Sequence, residues 1–226
     1  MGGFHQKSCN FVTANITIMN NIGILFDLDG VLVDSEGEYT KFWGGMGERY
    51  GLVPTFAADI KGTTIGEILL NFPEADREWI LGELHAFEAD MQYPVYPGVM
   101  EFLRELKESG VPSAIVTSSD NVKMDLLFAR RPELRGMIDA LVTGSMVTRS
   151  KPDPEGYLKG AGLIGVPIDR CYVFEDSMQG LQAGRSSGAK VIGIATTNPR
   201  SKVETIADLT LDSMDGISLA RISAVR

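Results

Sequence analysis

Short apolar runs alternate with amphipathic stretches along most of this chain. Residues 21–26, 113–117, 140–143, 171–174, 190–194 and 209–211 are apolar runs of strand length with little polar alternation, the pattern of strands buried on both faces. Between them, 99–109, a segment starting near Asp120, 154–163 and 178–187 carry apolar residues at helical spacing. Strands alternating with helices predict an α/β fold with a parallel sheet covered on both faces. Right-handed crossovers make such a sheet doubly wound.

The rhythm breaks between Ser35 and Tyr96. No strand is predicted there, and amphipathic stretches cover 36–50, 65–71 and 76–91. About 60 residues are too many for a plain loop in a compact domain. The segment 36–96 is therefore expected to be a helical insert, hinged near Ser35 and near 94–98, in a core made of 19–35 and 97–226. The insert leaves the core where the first strand ends, so it is placed to close over that point. Trp43 and Trp79 are expected inside it. His85 and His5 read as structural or exposed residues, the scattered methionines as core filler. Residues 1–18 read as a disordered or loosely packed leader, with Met19 a candidate start.

Open parallel sheets bind ligands at the C-terminal ends of their strands, and those ends carry the candidate chemistry. The first strand runs into Asp27-Leu28-Asp29-Gly30. Residues i and i+2 of an extended chain point the same way, so the Asp27 and Asp29 carboxylates are expected in one cavity. Two close carboxylates repel unless a proton or a cation relieves them. The second strand ends at Thr117-Ser118-Ser119-Asp120, the third is followed by Ser150-Lys151-Pro152-Asp153-Pro154, and the fourth by Glu175-Asp176-Ser177.

Each residue type has a use. Asp27 is a candidate nucleophile, since carboxylates form acyl phosphates, and Asp29 a candidate general acid and base. Asp176 with Glu175 completes an oxygen-rich site suited to Mg²⁺. Thr117 and the backbone N–H groups near Ser118 are candidates for gripping phosphoryl oxygens at a helix N-terminus. Lys151 offsets the negative charge of the cluster and of a transition state. Taken singly, Asp120, Asp153 and Ser177 read equally well as helix caps. The functional reading comes from all four motifs falling at successive strand ends.

Composition narrows the partners. The 226-residue chain carries a net charge of −9, which argues against nucleic acid or an anionic membrane as its main partner. A phosphate site must then make its own local positive potential. Two cysteines, Cys9 and Cys171, form neither a disulfide framework nor a Cys-rich metal site, and fit a reducing cytoplasm. No apolar run approaches the ~20 residues of a membrane span. A monomer is expected, without excluding an oligomer.

The four motifs together resemble those of the haloacid dehalogenase (HAD) superfamily of phosphohydrolases. They are Asp27-Leu28-Asp29-Gly30-Val31, Thr117-Ser118-Ser119, Ser150-Lys151-Pro152 and Glu175-Asp176-Ser177. The insert resembles that family's small cap, and the β-phosphoglucomutase-like subgroup fits best. The resemblance implies a Rossmann-like core. It also implies Mg²⁺ held by the Asp27 carboxylate, the Asp29 carbonyl and the Asp176 carboxylate, with Glu175 adjacent. Two positions depart from the mutases of that subgroup: Tyr39 stands where they have a cap histidine, and Ile65 where they have a cap arginine for the distal phosphate. Tyr39, Lys61 and Thr63 are the candidate substrate contacts of the cap.

The expected activity is Mg²⁺-dependent hydrolysis of a small phosphorylated metabolite, in particular a sugar phosphate, through an aspartyl phosphate. The alternatives are a hexose-phosphate mutase and, in another class, a non-catalytic phospho-acceptor or phosphate-binding module. Dehalogenation leaves Asp29 unexplained. Phosphonate cleavage calls for a cap lysine with a motif that neither Lys41 nor Lys61 has.

Overall fold

The computed structural model describes residues 22–225. The expectations for the leader, Met19, His5 and Cys9 fall outside that range. β1 (Gly23–Phe26) lies at the centre of a six-stranded, all-parallel sheet. The other strands are β2 (Ser113–Val116), β3 (Ala140–Val142), β4 (Cys171–Glu175), β5 (Lys190–Ile194) and β6 (Leu209–Leu211). Their spatial order is β3-β2-β1-β4-β5-β6. All six apolar runs became strands; the four inner ones are buried almost throughout, and the edge strands β3 and β6 are partly exposed. β4 extends one residue beyond expectation and takes in Glu175.

Side chains leave a strand alternately to its two faces, which divides the core. Ile24, Phe26, Ile115, Phe174 and Ile192 join one apolar layer, whereas Leu25, Ala114, Val116 and Val173 join the other. The first layer is closed by α5 (Val99–Glu108), with Val99, Phe102, Leu103 and Leu106 buried, and by Met124 and Leu127 of α6 (Asn121–Arg130). The second is closed by α8 (Glu155–Leu163) and α9 (Met178–Ser187), which contribute Tyr157, Ala161 and Ala183. The chain lays down β1, β2 and β3 toward one edge, then returns to place β4 on the other side of β1. The crevice between the ends of β1 and β4 is thus the topological switch point, where open α/β sheets take their ligands.

The insert is helical: α1 (Glu36–Arg49), α2 (Phe56–Asp59), α3 (Ile65–Leu69) and α4 (Glu74–Asp90). These helices surround an apolar cluster of their own, built from Trp43, Phe56, Ile68, Phe72, Ile80 and Leu84. The α2 turn was not predicted, since four residues show no period. Trp79 corrects another expectation: it is 40% exposed, with the Arg49 guanidinium 4.5 Å from its ring centre. The buried stripe of α4 runs through Ile80, Leu84 and Glu88 at i, i+4 spacing, and Trp79 lies off it. Exit and return of the chain are joined side by side. Asp34 N donates to Pro94 O at 2.8 Å and Tyr96 N to Leu32 O at 3.1 Å.

Short helices α7 (Pro132–Arg135), α10 (Arg200–Val203) and α11 (Leu219–Ile222) complete the core. Among the described residues, no helix is long and apolar enough to cross a membrane. Phe102 is 1% exposed, and its ring meets Phe26 at 6.1 Å and Phe174 at 5.7 Å. It therefore locks α5 onto the two strands that carry the crevice. Phe102→Ala is expected to lower unfolding free energy by about 3–5 kcal/mol, measured by urea denaturation.

Candidate active site

Asp27 follows the last residue of β1, and its N–H donates to Phe174 O at 2.9 Å. The backbone is thus still paired to β4 where the first acid appears, which carries it against the acids of that strand. One carboxylate oxygen from each of Asp27, Glu175 and Asp176 lies within 4.8 Å of the others, and all three residues are buried. Lys151 is 7% exposed, and its Nζ donates to Asp27 Oδ1 at 2.5 Å and to Glu175 Oε1 at 2.5 Å.

Glu175 is the most completely satisfied acid of the group. Its Oε1 accepts from Lys151 and from the Tyr157 hydroxyl at 2.9 Å. Its Oε2 accepts from the N–H groups of Asp176 and Ser177 and from Ser177 Oγ. Ser177 Oγ also accepts from Gly180 N at 3.0 Å, capping α9. The helix begins so close to Glu175 that a Cβ on Gly180 would lie 1.7 Å from Glu175 Oε1. Gly30 is a second forced glycine: its φ is +83°, and a Cβ there would lie 2.0 Å from Asp176 Oδ2.

Asp176 is different. Its Oδ2 is buried and has no hydrogen-bond partner. Burial, with the Glu175 and Asp27 carboxylates beside it, lifts the Asp176 carboxyl well above the usual range. Burial likewise pushes Asp27 up to about 8; Lys151 opposes that shift, and Glu175 and Asp29 reinforce it. Burial alone would lower the Lys151 ammonium, but Asp27 and Glu175 outweigh it and hold it raised. Three buried acids against one ammonium, with an unpartnered oxygen among them, is a donor set that fits a hard divalent cation.

Asp29 points to other partners. It accepts from Ser35 Oγ, from Lys123 Nζ and, at 3.3 Å, from Ser119 Oγ. Lys123 is 3% exposed and lies 4.4 Å from the Tyr39 ring centre. Sequence reasoning missed it, although a signal existed. First-turn helical side chains lean back toward the N-terminus, which in α6 is the site itself. A cation there also opposes the helix dipole, so another partner must hold it. Tyr157, which reaches the cluster from the face of α8, was missed as well.

Thr117 follows β2, and its Oγ1 accepts from Ser119 N at 3.1 Å, which leaves its hydroxyl proton free to donate. Ser118 Oγ instead donates to Gly62 O of the insert at 2.7 Å. Asp120 caps α6 through Lys123 N at 2.9 Å. Asp27, Asp29, Thr117, Ser118 and Asp176 line one cavity of about 110 Å³ with Tyr39, Lys61 and Thr63 of the insert. Lys151 and Glu175 lie beneath its floor. Lys61 pairs with Glu36 at 2.6 Å, Thr63 Oγ1 donates to Ile60 O at 2.6 Å, and the Tyr39 hydroxyl donates to Glu88 Oε1 at 2.8 Å. Trp43, Ile65, Ile68 and Leu84 give the same cavity an apolar wall.

Comparison with known proteins agrees with this geometry. The family model described as haloacid dehalogenase-like hydrolase matches residues 23–188. Hexitol phosphatase A of Escherichia coli (strain K12) is 33% identical over 208 residues, covering 88% of this chain and 94% of that one. A probable pseudouridine-5'-phosphatase of Drosophila melanogaster is 32% identical over 213 residues, covering 87% and 90%. Among solved structures, a β-phosphoglucomutase from Clostridium difficile superposes with a TM-score of 0.76 at 20% identity, covering 90% of this chain and 96% of that one; the likeness is one of fold.

A carboxyl with a raised folded-state pKa takes up protons on folding, so its stabilisation is full below the unfolded value and fades as pH rises. For Asp27 the window runs from 3.8 to about 8. The metal-free chain is therefore expected to lose stability as pH rises through that window. Asp27→Asn should flatten the slope; thermal unfolding in chelator at stepped pH measures both.

Proposed function

The chain belongs to the haloacid dehalogenase-like hydrolases, and from that premise we propose that it is a Mg²⁺-dependent phosphatase that hydrolyses a sugar or sugar-alcohol monophosphate through an aspartyl phosphate. Relatives at 33% and 32% identity are named phosphatases, which supports a phosphoric monoester hydrolase over a non-catalytic module. The observation that carries the mechanism is the unpartnered Asp176 Oδ2 beside the Asp27–Lys151 pair at the switch point.

The Asp27 and Asp176 carboxylates would hold Mg²⁺, together with the Asp29 carbonyl. Bound there, the ion offsets negative charge on the phosphoryl oxygens. Glu175, with both oxygens engaged, positions Lys151 and the loop that carries Asp176. In the first step Asp27 attacks phosphorus, while Asp29 protonates the leaving oxygen. In the second, Asp29 takes a proton from water, which then attacks the aspartyl phosphate. Thr117 donates to a phosphoryl oxygen, and Lys151 neutralises charge beside Asp27. Asp29 exchanges its bond to Lys123 for the leaving group.

The cavity supports a small monophosphate. At about 110 Å³ it is far above what a single water needs and can admit a compact polyol. A mutase must hold a second phosphate. Here the two lysines lining the cavity are both engaged, Lys61 by Glu36 and Lys123 by Asp29. Ile65 contributes no charge, and Glu36, Glu88 and Asp120 repel a distal anion. An uncharged, hydroxyl-bearing leaving group meets no such penalty.

With a panel of hexitol, hexose and nucleotide monophosphates, Mg²⁺-dependent phosphate release is expected to be fastest on the polyol and sugar members and absent in EDTA. Asp27→Asn should lower turnover by about 10³-fold or more and abolish the phosphoenzyme. Full activity in that variant overturns the mechanism. Isomerisation of β-glucose 1-phosphate outrunning phosphate release, with a trace of bisphosphate present, would assign the mutase reaction instead. Asp29→Asn should slow turnover by about 10²–10⁴-fold, read from steady-state kinetics on the best substrate.

A further inference from the structure

A second convergent set of side chains lies across the seam between insert and core. His85 and Glu88 are three residues apart on α4, so they share one face of that helix; Asp120 comes from the loop before α6. His85 Nε2 lies 2.9 Å from Asp120 Oδ2. One ligand atom from each of His85, Glu88 and Asp120 lies within 4.8 Å of the others. Glu88 is 3% exposed. Its Oε1 is taken by the Tyr39 hydroxyl, and its Oε2 is buried with no hydrogen-bond partner. A proton, a donated hydrogen bond from water or a cation would satisfy that oxygen. The local charge favours a cation: Asp29, Glu88 and Asp120 surround a single ammonium, Lys123, already bonded to Asp29.

We propose that His85, Glu88 and Asp120 form a second cation site, for a borderline dication such as Zn²⁺, separate from the phosphoryl centre. Imidazole nitrogen and carboxylate oxygen are both zinc ligands. Mg²⁺ prefers oxygen ligands throughout, so the imidazole sorts the two ions. The His85 and Asp120 side chains keep 25% and 18% of their exposure, so an ion can enter and water can complete its shell. Two ligands belong to the insert and one to the core. A bound ion therefore ties α4 to the loop carrying Ser118 and Ser119, and the insert cannot swing away without breaking a ligand bond. The site acts as a clamp that slows turnover.

The test titrates Zn²⁺ by calorimetry into the Asp176→Asn chain in excess Mg²⁺, which disables the phosphoryl centre and removes a repelled carboxylate. One equivalent is expected to bind. Adding His85→Gln should weaken binding by roughly tenfold or more, at least the loss seen when a ligand's supporting group is removed. Glutamine can keep the bond to Asp120, so the fold is retained. In the otherwise unchanged chain with saturating Mg²⁺, Zn²⁺ should lower kcat, and His85→Gln should relieve that inhibition. Absent binding, or equal affinity with and without His85, leaves Glu88 to a proton or to water and overturns the site. Binding lost with His85 but without effect on turnover overturns the clamp. A chain with no phosphatase activity fails the functional reading alone, because the calorimetric arm needs no turnover.

Discussion

The contact on which the site depends is the Lys151 ammonium, 2.5 Å from Asp27 and 2.5 Å from Glu175. Removing charges from water costs several kcal/mol per ion, recovered only where pairing and hydrogen bonding are nearly complete. Glu175 meets that condition through Lys151, Tyr157 and the N–H groups of residues 176 and 177. Much else follows from satisfying it. Tyr157 must be buried under the lysine, Ser177 must turn inward to cap α9, and position 180 can carry no side chain. Asp176 is fixed between these groups yet receives none of their donors on Oδ2. The fold completes the hydrogen bonding of one carboxylate and leaves an oxygen of its neighbour open.

The insert meets this edge through polar contacts as well as apolar ones. Ser118 Oγ donates to Gly62 O, Gln179 Nε2 to Asp59 O at 3.1 Å, and Ser150 Oγ to Glu67. The insert has an apolar cluster of its own, and Tyr39 and Phe87 pack against both that cluster and the main core of the sheet. The chain carries a net charge of −9. Lys151 is buried beside Asp27, Lys61 and Lys123 on the cavity wall are each paired with a carboxylate, and the rest of that wall is apolar and acidic.

The fold was legible because all six strands are continuous apolar runs, whose burial the sequence states directly. Asp27, Thr117 and Asp176 were legible for a related reason: in a parallel sheet, a residue just after a strand is already at the ligand edge. Lys123 and Tyr157 were hidden because they reach the site from helix faces, and their arrival depends on helix rotation and on the distance between layers. Trp79 was misplaced on its size alone, since an aromatic beside the buried stripe of α4 looks like a member of it until Ile80 and Leu84 set the phase. The turn at Phe56 escaped because four residues contain one turn and no repeat. For Glu175 the sequence offered a second metal ligand, and five hydrogen bonds show what else such an acid can be for.

Buried polar atoms in folded proteins almost always find partners, so the exceptions mark what the chain does not itself provide. Asp176 Oδ2 and Glu88 Oε2 are two such atoms, one deep at the switch point and one at the seam. The first sits among the carboxylates of Asp27 and Glu175 near the Lys151 ammonium, surroundings that would suit a hard cation. Those of the second include an imidazole, which selects a softer one. Both are carried on elements that the fold needs for other reasons, the loop into α9 and the buried stripe of α4. Filling either with a hydrogen-bond donor would have been simple for the fold.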